Sequence, residues 1–315
     1  MTSAFTTFQQ WLLFTGTVLV VGCVAWRIQV VPRARASLPS DESLALTDME
    51  RRATSVGLAT AWVLVAAWIL RIVVQVMGFR DPFAPLWDDV SLLLFETFWG
   101  TVWMAQGGVL ALLAAVLWLT GRGLGTSSGE TRPSGPPALS AGWAAAAVLV
   151  VALSATLALS GHAVGADSGR ALVVTADAVH TLAAGSWIGS LSIILTIGRA
   201  RGPAGPTLFA AQIRSFSPMA LVSGIALVSM GVALAWTHLQ AVSDLWTLPY
   251  GRILSAKVAL ALLIFGLGFW NWRRGLPISD TSEGAAAVRR RATWEVSLAV
   301  GVILLTAVLV HSPKP

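Results

Sequence analysis

Eight stretches of this chain are apolar over lengths that cross the roughly 30 Å hydrocarbon layer of a bilayer. They fall near 9–29, 55–78, 96–120, 139–161, 171–198, 214–238, 250–272 and 292–311. Backbone in hydrocarbon must satisfy its N–H and C=O groups internally, and a single apolar segment does so only as a helix. The expected fold class is all-α: a polytopic helical membrane protein of about eight transmembrane helices. Composition agrees, because only 11% of residues are charged and 56% are hydrophobic, whereas a soluble domain of this size shows more polar surface. The segment "DPFAPLWDDVSLLLFETFWG" before the third span stays open between loop, interfacial helix and short re-entrant piece.

The basic residues orient the spans. If the N-terminus lies outside, the inner flanks hold Arg27, Arg33, Arg35, Arg51, Arg52, Arg122, Arg132, Arg199, Arg201, Arg214, Arg273, Arg274 and Arg289 to Arg291. The outer flanks hold only Arg80, Arg170, Arg252 and Lys314. Fifteen against four is the bias of the positive-inside rule, and it places both termini outside. It also accounts for the formal charge of +6 without any nucleic-acid partner. The first apolar run has no basic residue before it, so it is expected to be a retained span rather than a cleaved secretory signal.

The loop at 30–54 is polar and is expected to carry a short helix around "DESLALTDMERR". The Gly-, Ser- and Pro-rich stretch at 121–138 suggests a flexible cytoplasmic linker. It would separate a three-span part (1–120) from a five-span core (139–315). Cys23 is the single cysteine, so no intrachain disulfide or CxxC pair exists, and a packed core thiol is the simplest role for it. Pro218 is placed in the first turns of the sixth span, where proline is tolerated.

Polar residues in or beside the spans carry the chemistry. All four histidines fall toward the outer side: His162 after the fourth span, His180 inside the fifth, His238 ending the sixth and His311 ending the eighth. Asp177 and His180 are one turn apart and share a helix face. A carboxylate in hydrocarbon points into the bundle or a wet cavity. Asp177 is expected to accept a hydrogen bond from one imidazole nitrogen, leaving the other for a metal. A purely structural Asp–His pair and a proton or electron relay are the competing readings. Ala183, Ala184, Gly185 and Gly189 would let a neighbouring helix approach closely, and Trp187 would floor a cavity. Lys257 would snorkel or pair with an acid. Imidazole suits copper, zinc, iron and nickel. Met77, Met104, Met219 and Met230 form no MxxM cluster, and packing is their ordinary role.

Four stretches together resemble the copper resistance protein D family of bacterial inner-membrane proteins. They are "SGHA" at 160–163, "DAVHTLAAGSWIGSL" at 177–191, "FSPMALVSGIAL" at 216–227 and "LWTLPYGRILSAKVALA" at 245–261, followed by "NWRR" at 271–274. The resemblance covers about 155–275; Ser190 stands where the family usually has a second glycine after its Trp-x-Gly. It implies a multi-pass protein of the inner membrane that moves copper from periplasm toward cytoplasm. It also implies a separate periplasmic copper-binding partner. On it, His162, Asp177 and His180 would be the metal-handling positions.

The leading expectation is therefore a copper site, with copper as Cu(I), formed by His162, His180 and Asp177, with His238 and His311 as further candidate ligands. A membrane haem b or quinone redox protein using the same histidines is the alternative, and a non-transporting accessory subunit for copper insertion into an oxidase is a third. There is no Walker motif, no HExxH and no GxSxG, so neither ATP-driven transport nor hydrolysis is expected.

Overall fold

The computed structural model describes residues 2–126, 140–161, 169–197, 205–238 and 241–312. Eight helical segments in it are long and apolar enough to cross a membrane: Ala4–Ser37, Ala45–Phe79, Phe98–Gly123, Ala141–Leu159, Arg170–Ile197, Gly205–Thr237, Pro249–Ile278 and Ser282–Leu309. Successive spans run in alternate directions. One end of the bundle therefore collects most of the arginines of the described residues, and the opposite end collects Leu159, Arg170, Thr237, Pro249 and Leu309, where those spans end or begin.

The helices are α1 (Thr2–Ala25), α2 (Val31–Ser37), α3 (Ser40–Phe79), α4 (Leu86–Phe95), α5 (Phe98–Thr126), α6 (Ala141–Leu159), α7 (Arg170–Ala184), α8 (Ser190–Ile197), α9 (Gly205–His238), α10 (Asp244–Thr247), α11 (Pro249–Trp270) and α12 (Ser282–Leu309). Three spans run on through a π-helical turn: Trp26–Val30 joins α1 to α2, Gly185–Gly189 joins α7 to α8, and Asn271–Gly275 continues α11. Such turns widen the helix by one residue and are frequent at functional sites.

Two expectations are corrected, and one open alternative is resolved. Residues 41–52 are not a separate short helix; they are the first turns of the 40-residue α3. At 1.5 Å per residue α3 is roughly 60 Å long, about twice the hydrocarbon thickness, and its polar N-terminal part stands outside the membrane. Buried Leu46, Met49 and Ala53 hold that extension against the core. Pro218 lies inside α9, well past its start, because the sixth span begins at Gly205. The missing N–H removes one intrahelical bond there. The segment before the third span resolves as a ten-residue helix, α4.

The centre of the bundle is α1, which packs against α3, α6, the Gly185–Gly189 turn and α12. Backbone comes closest where α1 crosses that turn. A Cβ on Gly22 would fall inside the Gly189 backbone, and a Cβ on Gly189 would fall on the Val18 carbonyl. Ser190 Oγ donates to the Gly22 carbonyl at 3.1 Å. Small residues therefore do bring a neighbouring helix close here, and that neighbour is the first span. Cys23 is buried, and its thiol donates to the Ala53 carbonyl at 3.0 Å.

Indoles join α3 to α5. Trp68 and Trp103 stack with centroids 4.0 Å apart, and each Nε1 donates to the other's backbone carbonyl. At the arginine-rich end, Glu50 is fully buried between Arg35, whose NH2 donates at 2.6 Å, and Arg27 at 3.7 Å. This ion cluster fixes α2 against α3.

Candidate metal-handling site

The fifth span carries the site, because α7 places Asp177 and His180 near its histidine-bearing end and Trp187 two turns after His180. Asp177 and His180 are partly buried, and the ammonium of Lys257 on α11 lies within electrostatic range of both. The His180 ring packs on α9, facing the Leu227 carbonyl. A Cβ on Gly231 would lie 3.5 Å from its Cε1, so glycine leaves the ring seated close to the α9 backbone.

The expected carboxylate–imidazole hydrogen bond is not formed. His180 Nδ1 is buried with no hydrogen-bond partner. Asp177 and the ammonium of Lys257 act on one another electrostatically instead, from beyond ion-pair distance. A buried nitrogen without a partner costs about 1–3 kcal/mol, a cost that a ligand on that nitrogen would remove.

The other candidates are placed less completely. His162 lies outside the described residues. Two residues before it, Ser160 is held by Arg71, whose NH1 donates to Ser160 Oγ at 2.9 Å and whose NH2 donates to its carbonyl at 3.0 Å. Arg71 also donates to Gln106 Oε1 at 3.3 Å, so spans two, three and four are tied together just where the chain turns toward His162. His238 is the last residue of α9. His311 follows α12 and is exposed. Among the described residues, no three His, Cys, Asp or Glu side chains gather around a common point. Met77 is 69% exposed while Met219 is buried, so the methionines form no thioether cluster.

Below His180, toward the arginine-rich end, Trp187 closes the space between α9 and α11. Its ring lies against Gly224 on one side and Gly268 on the other, and it contacts the Phe265 ring at 4.9 Å. It borders a cavity of about 600 Å³ between α9, α11 and α12, which lies on the side away from His180, so Trp187 does not floor a cavity around the histidine. Into the same cavity projects Glu295, a buried acid on α12 that sequence reasoning passed over. A lone glutamate within an apolar span was the available signal.

Two family models cover most of the chain. Residues 1–172 match the copper resistance protein D-like N-terminal domain, and residues 210–309 match copper resistance protein D. The chain belongs to the copper resistance protein D family. Lys257, Asn271 and Glu295 fall within the region matching copper resistance protein D, and His162 within the N-terminal one. Asp177, His180 and Trp187 lie in the segment between them. The chain is also 22% identical over 240 residues to the copper transport protein CutJ of Bacillus subtilis (strain 168). That match covers 76% of this chain but 41% of the relative, so the chain spans less than half of that protein's length. No solved structure matches.

Proposed function

We propose that this copper resistance protein D family member moves copper, as Cu(I), across the bacterial inner membrane from periplasm to cytoplasm. The ion enters at the histidine-bearing end, delivered by a separate periplasmic copper-binding protein. His180 is the central ligand through Nδ1, with His162 completing the pair from the adjoining segment. Asp177 balances charge through Lys257, and His238 and His311 stand at the same end as capture residues. The single observation that carries this reading is the buried, unpartnered Nδ1 of His180, in the half of the fifth span toward which the sequence pattern assigns the other histidines. Neutral imidazole is a good copper ligand, and an ammonium facing a carboxylate leaves little net charge to oppose a monovalent cation.

Cu(I) titrated anaerobically into the purified protein tests it. The wild type should bind tightly. His180→Ala should weaken binding by more than the about 10- to 100-fold typical of losing a ligand's supporting group, and His238→Ala by far less. Equal stoichiometry and affinity in all three proteins would overturn the assignment.

A further inference from the structure

Glu295 has no part in the site just described, yet its surroundings are built. It is 3% exposed. Its Oε1 accepts from Asn271 Nδ2 at 2.6 Å. Asn271 Oδ1 in turn accepts from Arg291 Nε at 2.7 Å. The arginine can only donate, so it fixes the amide with its NH2 group toward the glutamate. Oε1 is therefore an acceptor whether the acid is charged or neutral. Oε2 is left beside Gly268, where an added Cβ would stand 3.6 Å away, and faces the cavity that Glu295 lines.

The charges around the group are few. Arg291, one turn away on the same helix, is the cation that acts on it. The turn after α11 contributes neutral Asn271. The fifth span contributes Trp187, and α9 contributes Ser217 and Ser229 at the cavity wall. Beyond, α1 brings the Cys23 thiol, already turned to Ala53. One carboxylate among aromatic and aliphatic walls is a poor nest for a soft metal ion, which prefers thiolate, thioether or imidazole. It is a good place to hold one proton.

We propose that Glu295 is a proton-binding site coupled to movement of the cation, an inference that rests on the transport reading above. The Trp187 ring separates it from His180: on α9, Gly231 meets His180, and seven residues on toward the arginine-rich end Gly224 meets Trp187. With no Cu(I) below Trp187, Oε2 carries a proton. As one Cu(I) passes the ring, the O–H bond breaks and one proton leaves, so the carboxylate is balanced by one monovalent cation, proton or copper, and the net charge of the buried region does not change. Copper is neither oxidised nor reduced in the exchange. The exchange is electroneutral, so copper moves down its own concentration gradient, with the proton moving opposite to it.

The test uses the full chain in copper-free proteoliposomes supplied from outside, anaerobically, with Cu(I), with the membrane potential clamped and a pH dye trapped inside. Wild-type copper uptake should export protons, with the lumen pH rising as copper enters. An opposing proton gradient should accelerate uptake several-fold. Glu295→Gln, which keeps size and hydrogen bonding, should bind Cu(I) with wild-type stoichiometry but lose that acceleration and the pH change. Uptake by the wild type with no change in lumen pH would overturn the proposal without any variant, leaving the transport reading intact. So would a Glu295→Gln protein that still responds to the gradient, or one that loses Cu(I) stoichiometry, which would make Glu295 a metal ligand. No copper uptake by the wild type would sink the transport reading itself, and this proposal with it.

Discussion

Gly189→Leu should abolish folding of the bundle, and even Gly189→Ala should destabilise it by about 3 kcal/mol or more, the upper end of overpacking costs. A Cβ at this position meets backbone, the Val18 carbonyl and Gly22, not the end of a flexible side chain. Neither can move without parting α1 from the fifth span. Such a parting would also open the Ser190 Oγ bond to Gly22 and unseat Gly185, whose added Cβ would sit 2.5 Å from Val21 Cβ. Gly108 and Gly266 are the matched controls, because an added Cβ at either meets nothing within 4 Å. Alanine there should be neutral or stabilising by up to about 1 kcal/mol, through helix propensity. Size-exclusion profiles and thermal unfolding of the four variants in detergent check this. Equal behaviour of Gly189→Ala and Gly108→Ala would refute the close crossing.

Glu50→Ala should cost about 3–5 kcal/mol, the penalty for leaving buried charge unpaired. Two arginines share this carboxylate. Arg35 donates to Oε1 at 2.6 Å, Arg27 stands 3.7 Å from Oε2, and Glu50 itself is fully buried. Arg27 also lies over the Trp143 ring at 5.4 Å, so α1, α3 and α6 meet at this point. Glu50→Gln keeps the shape and one acceptor and should cost less. The contrast is Asp48→Ala, whose pair with Arg51 spans 3.6 Å between exposed side chains. Pairs of that kind contribute at most about 1 kcal/mol. Thermal unfolding that ranks Asp48→Ala with Glu50→Ala would contradict the ion cluster.

Hydropathy alone located the eight spans, because spanning length and internal hydrogen bonding leave an apolar segment no other structure. The crossing at Gly185 and Gly189 was equally open to inspection: small residues four apart announce a close neighbour, although not which one. Three things were hidden, each for a physical reason. The polar start of α3 looks like a loop by composition, because its helix is stabilised by tertiary burial of Leu46, Met49 and Ala53. The Asp177–His180 spacing suggested a mutual hydrogen bond, but sequence spacing does not show how another span seats the ring, and His180 packs on α9 with Nδ1 unpartnered. Arg71 within the second span gave no clue that its partners are Gln106 and Ser160, 35 and 89 residues away. Glu295 is different. It was legible by the same rule that singled out Asp177, since both are lone acids in apolar runs.

The central claim is that copper is held by imidazole near the histidine-bearing end of the fifth span. X-ray absorption at the copper edge, on the protein loaded anaerobically with one equivalent of Cu(I), tests it most directly. The account predicts a low-coordinate nitrogen shell with imidazole outer scattering that is lost or halved in His180→Ala. A sulfur-only shell, or a spectrum unchanged by His180→Ala, would contradict it.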